Sequence, residues 1–236
     1  MISCLSSVLH PTYNLSERNI MKYKLAIFDL DGTILDTLDD LTDSLNHVLA
    51  EHCYCLHTKE EVRGFVGNGI HKLIERAVPT GTSPNDIENV YIEFSEYYKI
   101  HCTDKTKPYE GIPDMLMKIR SAGYRTAVVS NKADFAVQTL CNVYFEGLFD
   151  LVRGEQKGTP KKPSPDAVNA IMEMLNVAPE DTVYIGDSEV DILTAANAGV
   201  DCLSVVWGFK DREFLIKNGA SRIVDDAPEL ADILVG

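Results

Sequence analysis

Two aspartates stand two residues apart in the segment Asp29-Leu30-Asp31-Gly32-Thr33, immediately after a short apolar run. A carboxylate can act as a nucleophile, a proton carrier or a metal ligand. If the chain turns after Asp29, this spacing lets both carboxylates face one crevice. Gly32 permits such a turn and lets the backbone approach an anion closely. The alternative is an ordinary Asp-Gly turn with incidental acidic residues.

A second polar pair, Ser130-Asn131, comes at the end of the predicted strand 126–129. A hydroxyl and backbone N–H groups at a strand end can bind the oxygens of a phosphoryl group. Taken alone, the pair is also typical of a turn or of a helix N-cap. Whether the pair binds a phosphoryl group therefore depends on which other residues the fold brings close to it.

A lysine stands just ahead of a predicted helix in the segment Lys162-Pro163-Ser164-Pro165. The prolines restrict the backbone, and Ser164 can cap a helix that has Pro165 at its first position. An amine at this place can bind an anion together with the positive end of the helix dipole. The alternative is an exposed surface lysine, which we favour for the neighbouring Lys161.

The fourth segment runs from Gly186 to Asp191, follows the predicted strand 183–185 and opens a helix. Asp187 would lie at the tip of that strand, and Asp191, four residues on, can share its helical face. Hard carboxylate oxygens of this kind suit Mg²⁺, and Asp29 would complete the set. Helix capping by the acidic residues is the alternative.

These segments lie far apart in sequence, but a parallel sheet would bring them together. From Pro108 onward, predicted strands alternate with predicted helices, which indicates an α/β fold with a doubly wound, parallel-sheet, Rossmann-like core. Ligands bind such sheets beyond the carboxyl ends of the strands, so all four segments are expected at one crevice. Helical apolar stripes between the first strand and Pro108 predict a small all-helical cap domain inserted after that strand.

The predicted parts of the chain are an N-terminal tail at 1–20, a catalytic core at 21–37 and 105–236, and a helical cap at 38–104. The tail is polar and shows no periodicity, and Met21 leads directly into the first strand. We expect Met21 to be the natural start or the tail to be loose, with an ordered extra segment as the alternative.

The chain has 236 residues and a net charge of −14. This acidic balance argues against nucleic acid or an anionic membrane as a partner, although a bound cation can still attract a small anionic substrate. No apolar run approaches the ~20 residues of a membrane helix, and the pattern of a secretory signal is missing. We expect a cytoplasmic protein; the sequence does not indicate its oligomeric state.

In the order nucleophile, hydroxyl, lysine and metal carboxylate, the four segments resemble the four motifs of the haloacid dehalogenase superfamily. The resemblance extends from residue 22 to the end of the chain. Dehalogenating members resemble the first motif without its second aspartate, so Asp31 favours a phosphatase over a dehalogenase. The expected partner is a small phosphorylated metabolite.

The resemblance also implies roles for the charged residues. Asp29 would attack phosphorus and form an aspartyl phosphate, and Asp31 would protonate the leaving oxygen and then activate water. The cofactor would be Mg²⁺, bound by the Asp29 carboxylate, the Asp31 carbonyl oxygen and Asp187. Ser130 and Lys162 would stabilise the equatorial oxygens of the transition state.

The helical insertion resembles the small cap of the family's first subclass. The loop Gly67-Asn68-Gly69, the helix after it, and the segments 108–111 and 206–209 resemble those of phosphoglycolate phosphatases. A plain turn is the alternative for the loop. Arg76 is a candidate for binding a substrate carboxylate, and a surface position is the alternative. The expected substrate contacts are Gly32, Thr33, Asn68, Gly69 and Asn131.

By this resemblance 2-phosphoglycolate is the leading substrate. Pyrophosphate, nucleotide monophosphates and other small phosphoesters are the alternatives within the same chemistry. A sugar-phosphate mutase uses the same four motifs and differs mainly in the cap. A non-catalytic module that binds a phosphorylated ligand is the alternative from a different class, and the presence of every reacting residue argues against it.

Overall fold

A computed structural model describes residues 22–236 of the protein, and eight β-strands lie within that part of the chain. In chain order they are β1 (Leu25–Phe28), β2 (Leu35–Asp36), β3 (Lys107–Pro108), β4 (Arg125–Ala133), β5 (Leu151–Glu155), β6 (Thr182–Gly186), β7 (Asp201–Val205) and β8 (Ile223–Val224). Six strands form one parallel sheet in the order β5-β4-β1-β6-β7-β8, and β2 pairs with β3 in a separate antiparallel ribbon. The N-terminal tail predicted at 1–20 lies outside the described residues.

Ten α-helices accompany these strands in the described part of the chain. In chain order they are α1 (Leu38–Glu51), α2 (Lys59–Phe65), α3 (Ile70–Ala77), α4 (Pro84–His101), α5 (Ile112–Ser121), α6 (Asp134–Tyr144), α7 (Asp166–Leu175), α8 (Glu189–Ala198), α9 (Arg212–Lys217) and α10 (Ala227–Val235). The first four lie between β2 and β3, so the predicted α/β core with a helical insertion is confirmed. The proposed cap boundaries at 38 and 104 stay a prediction.

None of the helices in residues 22–236 combines the length and the apolar composition that crossing a membrane requires. The cytoplasmic location expected from the sequence stays a prediction.

The central strand β1 is apolar along its whole length because both faces of the sheet are covered. Ala26 and Phe28 belong to the apolar cluster on one face, and Leu25 and Ile27 belong to the cluster on the other. This is the alternation expected of an extended chain in a buried parallel sheet. β1 pairs with β4 on one side and with β6 on the other, so the carboxyl ends of three strands converge beside Asp29.

Strand β4 is longer than the predicted segment 126–129. Residues 130–132 keep an extended backbone, and the pairing with β5 shifts register just there. Helix α6 begins after Ala133, which is its N-cap, so the alternative that Ser130 caps a helix is wrong. Such an irregularity at a sheet end frees side chains from the regular ladder and can redirect them towards a site.

Capping residues set where the helices of the insertion begin. The Thr58 hydroxyl accepts a hydrogen bond from the Glu61 N–H at 3.3 Å, and the Glu61 carboxylate accepts from the Thr58 N–H at 2.7 Å. These reciprocal hydrogen bonds form a capping box at the start of α2. Ser83 caps α4, and Pro84 occupies its first position. The caps thereby fix the first residues of α2 and α4.

The two segments that connect the insertion to the sheet lie side by side. The β2–β3 ribbon pairs them, and Asp40 in the first turn of α1 ties them together. Its carboxylate accepts from the Lys105 N–H at 2.9 and 3.1 Å and from the Thr106 N–H at 2.8 Å. Asp40 is almost fully buried. One side chain therefore joins the beginning of the insertion to its end.

We expect Asp40→Ala to lower the free energy of unfolding by about 2–4 kcal/mol, because two backbone N–H groups lose a charged acceptor. Urea unfolding followed by circular dichroism measures this change. Asp39→Ala is the matched control, because the side-chain contact of Asp39 within residues 22–236 is an exposed ion pair with Lys59, and its loss costs at most about 1 kcal/mol. Equal destabilisation by the two substitutions would contradict the anchoring role of Asp40.

Candidate active site

Asp29 lies at the carboxyl end of β1 with 8% of its surface exposed. Its Oδ1 is 2.9 Å from Nζ of Lys162 and accepts a hydrogen bond from the Leu30 N–H at 2.7 Å. Burial raises the pKa of Asp29 to about 7, while the charge of Lys162 opposes the rise and that of Asp191 adds to it. The structure thus places the predicted nucleophile beside the predicted lysine.

Lys162 is shared between two carboxylates. Besides facing Asp29, its Nζ donates to Oδ1 of Asp191 at 2.7 Å and to the Tyr184 hydroxyl at 3.1 Å. Burial alone would lower the pKa of Lys162, but the charges of Asp191 and Asp29 outweigh it and hold that pKa well above its usual value. The surface alternative for Lys162 is therefore wrong, whereas Lys161 is partly exposed and pairs with Glu155.

Oxygens of Asp29, Asp187 and Asp191 lie within 4.8 Å of one another. Both carboxylate oxygens of Asp191 already accept hydrogen bonds from other groups of the protein. Its Oδ1 accepts from Lys162, and its Oδ2 accepts from the backbone N–H and the hydroxyl of Ser188 at 3.1 and 2.6 Å. It completes the N-terminal cap of α8, which was the alternative to metal binding. Asp29 and Asp187 remain as the carboxylates able to hold a metal ion.

Of the four aspartates in the crevice, Asp187 is the one that does not contact a lysine within the described residues. Burial, followed by the charges of Asp191 and Asp29, raises the pKa of Asp187 well above its usual value. Its donors are the Phe209 N–H at 2.6 Å and, more weakly, the Thr33 hydroxyl at 3.5 Å. Neither donor is charged. A nearby cation is what this carboxylate lacks.

The crevice as a whole contains more negative than positive charge. Its charged side chains are four carboxylates and two ammonium groups: Asp29, Asp31, Asp187, Asp191, Lys132 and Lys162. In their ionised forms, the four carboxylates exceed the two ammonium groups by two negative charges, and Asp187 is the carboxylate without a cationic partner within residues 22–236. Hard oxygen donors and this deficit fit a divalent cation, the kind of metal that the sequence predicts.

Asp31 contacts a second lysine, Lys132, which the sequence analysis missed. Nζ of Lys132 lies 3.0 and 3.2 Å from the two carboxylate oxygens of Asp31. The Thr37 hydroxyl donates to Oδ1 of Asp31 at 2.6 Å. The available signal was a lysine directly after Ser130-Asn131, at the end of a buried strand. Because the strand was predicted to end at residue 129, Lys132 was not recognised as a residue at the end of a buried strand.

Ser130 and Asn131 line the cleft together with Asp29 and Asp31. Ser130 Oγ accepts a hydrogen bond from the Lys132 N–H at 3.3 Å, which leaves its O–H able to donate to a ligand.

The Asn131 amide connects the β4 end to two other loops. Its Nδ2 donates to the carbonyl oxygens of Lys162 at 3.0 Å and Gly67 at 3.2 Å. Asn131 therefore holds the lysine loop and the cap loop next to each other. Its contact with a substrate stays a prediction.

Gly32 and Thr33 pack behind Asp187 rather than on the cleft wall. Gly32 has a φ of +80°, and a Cβ on it would overlap the Asp187 carboxylate. Gly208 fits equally tightly against Gly32 and Asp187. The Trp207 indole N–H donates to the Thr33 carbonyl at 2.9 Å. Gly32 and Thr33 thus help to position the Asp187 carboxylate, and their contact with a substrate stays a prediction.

A cleft of about 610 Å³, including its open mouth, lies between the sheet and the helical insertion. The insertion contributes apolar or glycine residues to its wall: Leu41, Val66, Gly67, Gly69, Ile70 and Leu73. Lys210, from the loop after β7, also lines it. Within residues 22–236, Lys210 has no carboxylate partner, and its Nζ lies 5.2 Å from the centre of the Phe214 ring.

The cap loop brings Gly69 to the cleft but not the Asn68 side chain. The Asn68 side-chain oxygen accepts a hydrogen bond from Arg76 at 2.6 Å, and Arg76 also donates to the Phe65 carbonyl at 2.6 Å. Both side chains are thereby held on the surface of the insertion, away from the residues that line the cleft. For Arg76 the surface alternative is the correct one.

We expect Gly208→Ala to lower the free energy of unfolding by about 1–3 kcal/mol, the usual cost of forcing a methyl group into a filled site. The added Cβ would overlap the Gly32 carbonyl oxygen and Asp187. Gly64→Ala in α2 is the control, because nothing lies within 4 Å of its added Cβ; it should gain up to about 1 kcal/mol in helix propensity. Chemical denaturation compares them, and a Gly208→Ala protein as stable as the wild type would refute the predicted overlap.

Comparison with known proteins identifies the family. Residues 26–205 match the family model of the haloacid dehalogenase-like hydrolases. A phosphoglycolate phosphatase of Psychrobacter arcticus is 31% identical over 223 residues, which cover 91% of this chain and 97% of that protein.

Solved structures agree with this assignment. A candidate phosphoglycolate phosphatase from Lactobacillus delbrueckii subsp. bulgaricus is 39% identical with a TM-score of 0.87, covering 92% of this chain and all (100%) of that one. CbbY from Rhodobacter sphaeroides, solved as a mutant in complex with xylulose-1,5-bisphosphate, is 26% identical with a TM-score of 0.75, covering 90% of this chain and 99% of that one. The resemblance predicted from the sequence is confirmed: the chain belongs to the haloacid dehalogenase-like hydrolases and is a phosphatase similar to phosphoglycolate phosphatases.

Proposed function

We propose that this protein is a Mg²⁺-dependent phosphatase that hydrolyses 2-phosphoglycolate through an aspartyl phosphate on Asp29. The observation that carries the proposal is the buried Asp29 carboxylate at the tip of β1, 2.9 Å from Lys162 and beside Asp187. The proposed nucleophile and the proposed metal-binding carboxylate line one cleft, and Lys162 supplies a fixed positive charge in contact with Asp29. The similarity to phosphoglycolate phosphatases supports the choice of substrate.

The Asp29 and Asp187 carboxylates and the Asp31 carbonyl oxygen would hold the magnesium ion. When bound, Mg²⁺ supplies positive charge that reduces the repulsion between the Asp29 carboxylate and a phosphate dianion. The excess of two negative charges in the crevice supports this assignment, and so do the hydrogen bonds that Asp191 accepts from Lys162 and Ser188, which occupy its oxygens.

The reaction has two displacement steps at phosphorus. In the first, an Asp29 oxygen bonds to phosphorus, the ester P–O bond breaks, and the proton of Asp31 passes to the departing oxygen. In the second, a water oxygen bonds to phosphorus, the bond to Asp29 breaks, and Asp31 takes the proton of the water. Lys162 and the Ser130 hydroxyl bind the equatorial oxygens in both steps. The net result is an alcohol and inorganic phosphate.

The cleft wall supports a small substrate with a second anionic group. Beyond the charged floor, the insertion supplies only apolar and glycine surface, and Lys210 is the wall cation without a carboxylate partner in the described chain. We assign Lys210 to the carboxylate of 2-phosphoglycolate. The sequence also suggested Arg76 as the residue that binds this carboxylate, but its guanidinium donates hydrogen bonds to the Asn68 side chain and the Phe65 carbonyl instead.

A sugar bisphosphate is the second candidate substrate. It is favoured by the similarity to CbbY, a protein solved with xylulose-1,5-bisphosphate. Lys210 would then meet the second phosphate instead of a carboxylate, and the reacting residues would keep the same roles.

A panel of phosphate esters tests the proposal. We expect the wild type in Mg²⁺ to show its highest kcat/KM with 2-phosphoglycolate, ahead of xylulose-1,5-bisphosphate, nucleotide monophosphates and pyrophosphate. EDTA should abolish phosphate release, and Asp29→Asn should reduce it at least roughly 1,000-fold because the nucleophile is lost. Unchanged activity of Asp29→Asn would refute the mechanism, and no Mg²⁺-dependent turnover of any ester would favour the phospho-ligand binding module.

We expect Lys210→Met to raise KM for 2-phosphoglycolate roughly 10-fold, because a charge-assisted hydrogen bond to the substrate is lost. KM for ethyl phosphate, which has no carboxylate, should change less than about twofold. Lys217→Met is the control, because Lys217 is an exposed lysine of α9 outside the cleft wall. Steady-state kinetics on both esters measure the effect, and an equal rise in KM for the two would disprove the assignment of Lys210.

A further inference from the structure

Lys132 is a buried lysine that lies outside the four motifs. It is 4% exposed, at the irregular end of β4. Lysine is almost never buried without a charged partner. The partner here is Asp31, and both of its carboxylate oxygens lie within 3.2 Å of the Lys132 ammonium. A lysine therefore lies beside each of the two aspartates that are proposed to react, Lys162 beside Asp29 and Lys132 beside Asp31.

On its other side, Lys132 meets the helical insertion. Its Nζ lies 4.7 Å from the centre of the Tyr98 ring, and Tyr98 belongs to α4. An ammonium over an aromatic face is attracted by the electron-rich ring. Tyr98 is fully buried and stacks on Phe94 at 5.4 Å. Its hydroxyl makes no hydrogen bond in the described part of the chain, so the ring itself is the group that contacts Lys132.

Thr37 completes the environment of Asp31. Its hydroxyl donates to Oδ1 at 2.6 Å, and it lies where β2 passes into α1. The Asp31 carboxylate is thus oriented by one residue from the sheet and one from the entrance to the insertion. Tyr98, from the last helix of the insertion, keeps Lys132 in place behind it.

We propose that Lys132 is a positioning residue that orients Asp31 for proton transfer, and that Tyr98 links this orientation to the packing of the insertion. This inference rests on the proposed function, in which Asp31 protonates the departing ester oxygen. A proton donor held at the wrong angle loses most of its effect, and general acid catalysis contributes typically about 10²–10⁴-fold. Lys132 itself transfers no proton in this scheme.

The dependence on the leaving group separates positioning from a merely structural role. An alkyl phosphate must release an alkoxide unless Asp31 protonates the oxygen as the P–O bond breaks. A p-nitrophenolate is stable as an anion and leaves without a proton. Misplacing Asp31 therefore slows the alkyl ester selectively, whereas a general loss of structure slows both esters equally. The measured quantity is the ratio of kcat/KM for ethyl phosphate to kcat/KM for p-nitrophenyl phosphate.

We expect Lys132→Met to lower this ratio roughly 100-fold, with kcat/KM for p-nitrophenyl phosphate reduced less than about fivefold. Lys132→Arg, which keeps the charge, should restore most of the ratio. The matched control is Lys99→Met, which removes an exposed lysine of α4 next to Tyr98 and should leave both constants unchanged. Thermal unfolding of each variant checks that the fold is intact.

A Lys132→Met enzyme that loses activity equally on both esters would overturn the proposal and assign Lys132 to substrate binding or to the fold. If that variant does not fold, Tyr98→Leu takes its place. It should lower the same ratio, and an unchanged ratio would likewise overturn the proposal.

Asp31→Asn distinguishes a failure of the proposed function from a failure of the inference about Lys132. If it fails to lower the ratio, the proposed role of Asp31 is wrong; if it lowers the ratio and Lys132→Met does not, only the present inference is wrong.

Discussion

Several carboxylates share a mostly buried crevice at the carboxyl end of β1, and each of them repels the others. Burial of charge on this scale is stable only where opposite charge is supplied at close range. Lys162 supplies it to Asp29 and Asp191, and Lys132 supplies it to Asp31. Asp187 is left with uncharged donors. The arrangement is therefore short of positive charge at the point where a metal ion and a phosphate ester would meet.

The sheet, its loops and the helical insertion together bring these charged side chains to one place. β1 lies between β4 and β6, so residues from three distant segments converge beyond its end. The register shift near the end of β4 releases Lys132 towards Asp31. Behind the carboxylates, glycines allow the backbone of two loops to approach within contact of Asp187. The helical insertion covers the crevice with apolar surface and, through Tyr98, reaches the lysine beneath Asp31.

Features with a local cause could be predicted from the sequence. The apolar run before Asp29, the capping box at Thr58 and the alternation of strands and helices each depend on neighbours in the chain, and together they indicated the fold class correctly. The direction of a side chain was harder to predict. Asn68 carries an amide suited to substrate binding, but Arg76 on the same insertion holds it. Lys132 finds its partner 101 residues away, across two strands that only tertiary structure brings together.

The loop after β7 has a consequence for how the substrate range of this enzyme can change. Gly208 and the Phe209 N–H hold Asp187 in place, and Lys210, the next residue, lines the cleft. An insertion or deletion in this loop would alter the cleft wall at Lys210 and, at the same time, displace the Asp187 carboxylate. Exchange of the side chain at position 210 leaves the backbone contacts intact. Laboratory evolution towards new esters should therefore accept point changes at that position and at the apolar cap positions Val66, Ile70 and Leu73, and should reject changes in loop length.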